Sequence, residues 1–388
     1  MPPRAHRPRT VTLLALLLVL LFALLAPGLA RAADTIVVGL RPGALAATAL
    51  DAAGAVQVGA LPRLRAVVAH VAPAHRSAAL RALRHSRAVR YAEPLHRLQA
   101  LDAAPDPGRA QQWGLDAIGA DAAWSVTRGA GVVVAVVDTG VAPAPDLAGR
   151  LLPGWNAIAR SDDATDDNGH GTHVAGTVAE VGGNGLAESG VAPEASILPV
   201  KVLDSTGTGS DADVAAGIVW AADHGARIVN LSLGGSEPST VLADGVAYAR
   251  NKGVLIVAAA GNDGGPVGVP ARLAGVLAVG AVDANRVRAP FSAGGRALDL
   301  VAPGVGILQQ TLDGVGGYAD RSWSGTSMAS PHVAGVAALA LAAGRAKTAI
   351  GVSRLLTRTA LDLGITGRDP AYGAGLVRAD AALGQPVP

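Results

Sequence analysis

Gly131-Val132-Val133-Val134-Ala135-Val136-Val137-Asp138-Thr139-Gly140 is an apolar run that stops on an acid and a turn. No polar residue interrupts positions 131–137, so a strand there has no face for water and must be covered on both sides. Strands of that kind belong to parallel sheets sandwiched between helices, and the downstream sequence repeats the pattern. Further strands are expected at 196–202, 228–233, 254–260 and 276–282. Helices are expected at 170–181, 210–224, 241–252 and 326–343. The predicted fold class is α/β: a doubly wound, mostly parallel sheet with helices on both faces, spanning residues 113–388.

Upstream, residues 33–101 read differently. Strands at 35–40, 55–59, 64–71 and 89–95 enclose helices at 43–53 and 74–85, a βαββαβ order that predicts a small α+β ferredoxin-like domain. A unit of that size has a marginal core and gains stability by docking on something else. Residues 102–112 carry Ala, Asp and Pro without periodicity and are read as a linker with a processing region. Residues 1–32 place Arg4, Arg7 and Arg9 before an apolar run from Val11 to Leu25 and the small-residue site Ala30-Arg31-Ala32, the layout of a cleaved signal peptide. The product is then secreted or extracytoplasmic, with no membrane contact after removal; a retained N-terminal anchor is the alternative.

The net charge of +2 over 388 residues hides a division. Residues 33–101 hold nine Lys/Arg against three acids, a balance of +6, whereas 102–388 hold 19 against 27, a balance of −8. A basic segment invites a nucleic-acid reading, but these arginines have only Tyr91 near them as a stacking platform, so no nucleic-acid partner is expected. The acidic partner lies in the same chain. Absence of cysteine excludes disulfides, zinc–thiolate sites and cysteine nucleophiles.

In open α/β sheets, ligands sit beyond the carboxyl ends of the strands. Four polar segments fall there or at helix starts: Asp138-Thr139-Gly140; Asn168-Gly169-His170-Gly171-Thr172-His173; Gly261-Asn262-Asp263-Gly264; and Gly325-Thr326-Ser327-Met328-Ala329-Ser330-Pro331. Amide hydrolysis needs a nucleophile, a base for its proton, a group that orients the base, and donors for the developing oxyanion. Ser327, His170 and Asp138 can fill the first three roles. The Asn262 amide and the Ser327 N–H at a helix start can supply the donors. His173, His224 and His332 are expected to pack or cap, and Ser330 is the decoy nucleophile.

These segments resemble the three signature motifs of the subtilisin-like serine proteases, in the order Asp, His, Ser. The resemblance runs from about Gln112 to Leu383. It implies a serine endopeptidase acting through an acyl-enzyme, with no catalytic cofactor. It also implies an extended protein or peptide substrate held between Ser232-Leu233-Gly234 and Gly207-Thr208-Gly209, and an expected monomer. Residues 33–101 resemble, at the level of fold and at Arg90-Tyr91-Ala92-Glu93-Pro94, the inhibitory and chaperone propeptide of these enzymes. Asp106, Asp146 and the loop Gly182-Gly183-Asn184-Gly185 resemble positions that build a structural calcium site in such relatives, with Asp106, Asp146 and Asn184 as ligands. A second acidic cluster, Asp162, Asp163, Asp166 and Asp167, is a further place for a cation. The alternative function is a catalytically inactive binding protein of the same fold. No G-x-S-x-G motif surrounds any serine, which excludes the elbow of other serine hydrolases.

Overall fold

A computed structural model describes residues 35–95 and 106–385, and these fall into two compact units, one on each side of the segment 96–105. The expected leader lies outside the described residues. Among them, no helix is long and apolar enough to cross a membrane.

The first unit runs β1 (Thr35–Leu40), α1 (Ala46–Asp51), β2 (Ala55–Leu61), β3 (Ala66–Val71), α2 (Arg76–His85) and β4 (Val89–Pro94). Its antiparallel sheet has the order β2-β3-β1-β4, the topology that the βαββαβ order predicted. Leu80 and Leu83 of α2 close the core over Ile36, Val38, Val67 and Ala69. α1 is shorter than expected. A turn at residues 42–43 is closed by Ala44 N–H donating to the Arg41 carbonyl at 3.1 Å, and a helix does not accommodate the Gly43 φ of +79°.

The second unit opens with α3 (Trp113–Ile118) and α4 (Ala120–Trp124) and continues through β5 (Val133–Asp138), β6 (Trp155–Asn156), α5 (His170–Ala179), β7 (Ser196–Lys201) and α6 (Asp211–Asp223). β8 (Ile228–Leu231), α7 (Thr240–Asn251), β9 (Leu255–Ala259), β10 (Val276–Val282) and β11 (Leu300–Pro303) follow. The chain ends with a hairpin of β12 (Ile307–Leu312) and β13 (Tyr318–Trp323), then α8 (Thr326–Ala342), α9 (Ala349–Thr359) and α10 (Ala379–Leu383). Seven strands form a sheet in the order β11-β10-β9-β8-β5-β7-β6, and every pairing in it is parallel. The β12–β13 hairpin stands apart as an antiparallel pair.

Alternation along β5 shows why its sequence is apolar throughout. Val134 and Val136 enter the core packed around α5 and α8, whereas Ala135 and Val137 enter the core under α6 and α7. With few aromatics, both cores are filled mainly by Val, Ala, Leu and Ile, and small side chains let helices lie close to the sheet.

Residues 106–112 differ from the linker reading. Asp106 and Gln112 are buried, a 3₁₀ turn spans Arg109–Gln111, and the Gln112 side chain exchanges hydrogen bonds with Ser189, donating to its carbonyl at 2.8 Å and accepting from its N–H at 3.0 Å. Polar side chains pinned by distant backbone, rather than a hydrophobic period, hold this stretch in place.

Candidate active site

β5 delivers Asp138 to the carboxyl edge of the sheet, where its side chain is fully buried. α5 begins at His170, beside it. Gly171 permits that approach, since a β-carbon there would overlap the Gly140 carbonyl and lie 3.2 Å from Cβ of Asp138. The preceding Gly169 takes φ +100°, turning the chain into the helix. His170 Nδ1 donates to Asp138 Oδ1 at 2.7 Å, an oxygen that also accepts from Thr139 N at 2.8 Å. Burial pulls the His170 pKa down, but the Asp138 charge and hydrogen bond outweigh it and hold the imidazole above its usual value.

Asp166 organises this corner. Its Oδ1 accepts from the Thr139 hydroxyl and from the amides of Asn168 and Gly169, and its Oδ2 accepts from both the amide and the hydroxyl of Thr172. Read from sequence as one of four clustered acids, Asp166 instead caps α5 and ties it to the end of β5. Asp167 pairs with Lys201 Nζ at 2.6 Å, and Asp163 accepts from Thr165 N. These carboxylates thus face different partners, and among the described residues no three His, Cys, Asp or Glu side chains converge as a metal cluster. Lys201, buried, also donates to the carbonyls of Thr139 at 2.7 Å and Leu203 at 3.0 Å. Sequence reasoning missed both Asp166 and Lys201. An acid four residues before a helix start, after which a Gly-His pair follows, was the available signal for the first.

α8 brings Ser327 in at its first turn. The hydroxyl donates to the Ser232 carbonyl at 3.1 Å, while the Ser232 hydroxyl donates to the Ser327 carbonyl at 2.7 Å. Ser330 is fully buried, with its hydroxyl 2.9 Å from that of Ser232, so it braces β8 against α8. Asn262 is anchored through its Oδ1, which accepts from the amide of Thr326 at 2.8 Å and its hydroxyl at 2.9 Å. Asn262 Nδ2 and Ser327 N lie 3.4 and 3.7 Å from the point where a side chain on Gly325 would begin, a space that glycine leaves open between two donors.

A groove of about 800 Å³ runs beside His170. Ser232, Leu233 and Gly234 line one wall, Gly207, Thr208 and Gly209 the other. Of the remaining histidines, His173 is buried beneath the hairpin, within 3.1 Å of the carbonyls of Ile307 and Arg321, and stacks on Trp323 at 4.7 Å. His332 bonds the Met328 carbonyl one turn back, and His224 lies against Trp220. Burial lowers the pKa of His173 and His332 to about 4, and neither lines the groove that His170 lines.

The amides of Gly183, Asn184 and Gly185 all donate to the Asp106 carboxylate, and Asn184 Nδ2 donates to Asp146 Oδ1 at 2.6 Å. The structure therefore brings the three expected ligands together. Beside them Glu188 is buried with both carboxylate oxygens lacking a hydrogen-bond partner. Burial and the nearby Asp320, Asp146 and Asp106 push its pKa up to about 8. Fully buried Glu180 is likewise driven well above the carboxylate range by burial and by Glu188 and Asp146.

A buried acid–imidazole pair at the carboxyl edge of an all-parallel sheet, with a serine at the start of the adjoining long helix, is the architecture of the subtilisin-like serine peptidases. Residues 129–375 match the subtilase family, and 30–94 match the fervidolysin N-terminal prodomain. Subtilisin Savinase of Lederbergia lenta is 45% identical over 272 residues, 70% of this chain and 97% of that protein. Thermitase of Thermoactinomyces vulgaris is 44% identical over 242 residues, 62% of this chain and 85% of that protein. The solved structure of a protease from Pseudoalteromonas arctica PAMC 21717 superposes with a TM-score of 0.68 at 33% identity, covering 73% of this chain and 99% of its own. The chain belongs to the subtilase family. It is a serine endopeptidase that carries a prodomain and needs no cofactor for catalysis.

Proposed function

We propose that Asp138, His170 and Ser327 form the catalytic triad of a protease made as a secreted precursor. The observation that carries this reading is the 2.7 Å bond from His170 Nδ1 to Asp138, which leaves Nε2 as the ring's proton acceptor on a groove-lining histidine. Rotation of the Ser327 side chain away from the Ser232 carbonyl frees its hydroxyl. Its oxygen then attacks the scissile carbonyl as its proton passes to Nε2. The oxyanion is held by Asn262 Nδ2 and Ser327 N. Imidazolium returns the proton to the leaving amine, giving an acyl-enzyme that water cleaves by the same route. Asp138 stays ionised and stabilises the imidazolium.

The walls Ser232-Leu233-Gly234 and Gly207-Thr208-Gly209 would hold an extended substrate backbone by strand pairing, with their glycines allowing close approach. Residues 33–101 are read as the enzyme's own inhibitor and folding aid, favoured by the charges of +6 and −8, and processing is assigned to 102–112. A hard divalent cation, calcium by ligand type, suits the oxygen-rich corner of Asp106, Asp146 and Asn184, because Glu188 places a buried carboxylate there without a hydrogen bond. When bound, it would favour the ionised form of Glu188, which burial and the neighbouring acids otherwise disfavour, and add stability.

The test is Ser327→Ala. Peptide hydrolysis should fall to a residual level set by the oxyanion donors, with Tm unchanged. Activity surviving in Ser327→Ala but lost in Ser330→Ala would assign the nucleophile to Ser330.

A further inference from the structure

At the opposite end of the sheet, where β9 and β10 begin, a second groove of about 600 Å³ opens. Arg250, Arg272, Arg296, Arg354 and Arg368 line it, against one carboxylate, Asp299. All five arginines are exposed. They are a large share of the 19 Lys/Arg in residues 102–388, a region with an acidic excess.

The single carboxylate is already engaged. Asp299 accepts from Arg368 Nη2 at 2.9 Å and from Ala278 N at 3.0 Å. Arg272 turns outward to the Ser236 carbonyl at 2.9 Å. Arg250, Arg296 and Arg354 form no ion pair among the described residues. Arg250 is nonetheless placed, since its guanidinium lies on the bare backbone of Gly275, where any β-carbon would overlap it. The start of α9, an 11-residue helix, supplies Ala349, Ile350 and Ser353 to the wall, so the positive end of its dipole adds to the same field.

Like charges that line one groove repel, and a bound anion removes that cost. Guanidinium forks match sulfate and phosphate oxygens two at a time, and the groove is much larger than one such group. We propose that this groove is a binding site for small anions that carry clustered sulfate or phosphate esters, remote from the peptide-cleaving site. Because the arginines are exposed, binding should weaken steeply with salt.

The experiment uses the mature enzyme, inactivated by a serine-directed phosphonate to prevent self-digestion. Its Tm is read with sucrose octasulfate, with fructose 1,6-bisphosphate and with sodium chloride at matched ionic strength. At about 100 times Kd, the better ligand should raise Tm by roughly 5 °C. A shift with either sugar beyond sodium chloride supports the site, the octasulfate more strongly because it carries more charge, and sodium chloride should do nothing. The double variant Arg250→Ala/Arg354→Ala should lose the shift, Arg250→Lys/Arg354→Lys should keep part of it, and both, left unlabelled, should retain wild-type kcat/KM on a peptide as proof of folding. No shift beyond sodium chloride, or an equal shift in the alanine variant, would overturn the proposal.

Discussion

Among the described residues, Asn262 hydrogen-bonds to protein through one end of its side-chain amide. Its Oδ1 is fixed by Thr326, so its Nδ2 is aimed without being consumed. Asn262→Ala should lower kcat roughly 10²–10³-fold with a smaller change in KM, the loss that removal of one such donor causes in a subtilisin. Equal kcat in the variant would take Asn262 out of the mechanism. His170 makes a second prediction. In the proposed mechanism catalysis needs the neutral ring, and Asp138 holds the proton on more tightly than in a free histidine, so activity should rise with pH through a pKa above about 6.5. Asp138→Asn should move that limb downward; an unmoved limb would assign it to another group. At this scale the sequence was most legible in placement, because Asp138 ends an apolar strand, His170 and Asn262 adjoin glycines, and Ser327 opens a long helix two residues after Gly325. Asp166 and Lys201 were not, because a buried acid satisfied by five donors and a solvated one look alike in a chain of letters.

Sequence reading did not foresee the β12–β13 hairpin, and its burial explains why. Along β12 the buried positions are Ile307, Gln309 and Thr311, whereas Leu308 and Leu312 are half-exposed. Hydropathy alternation therefore runs against the true inward face. The parallel strands were legible because burial on both faces leaves only one kind of residue to use. The hairpin matters to the site through Trp323, whose ring stacks on His173 at 4.7 Å and lies near-parallel to His170 at 6.3 Å. Trp323→Ala should remove about 2 kcal/mol of packing from a half-buried ring, lowering Tm by about 4–8 °C. It should also lower kcat more than it raises KM, as the imidazole loses its neighbour. A fall in Tm with kcat intact would limit the hairpin to a structural part.

For the molecule as a whole, two buried histidines among the described residues, His173 and His332, are held neutral. His173 and His332 both titrate at about 4, whereas in the unfolded chain they take up protons near 6.5. Between those values the unfolded state binds more protons, so the stability present above pH ~6.5 is lost as pH falls towards 4, up to about 3 kcal/mol for each ring. Glu180 and Glu188, whose raised pKa values make the folded state bind protons over the same window, act with the opposite sign, so the histidine contribution is read as a difference. Urea midpoints of the phosphonate-blocked wild type should fall further, or rise less, than those of His332→Gln between pH ~6.5 and 4. Parallel profiles for the two proteins would refute the assignment. The division of charge between the two units was readable from composition alone, whereas the attachment of residues 106–112 to the larger unit was not, since it rests on Asp106 and Gln112 meeting backbone some 77 residues away. That attachment bears on maturation. Three amides of the 183–185 turn lean on the Asp106 carboxylate, so a precursor trimmed beyond that residue would release the turn while leaving the catalytic groups in place. With processing in 102–112 as proposed, a cut before Asp106 would keep those three contacts and a cut after it would lose them, so ragged trimming would yield two populations that differ in how firmly the turn is held.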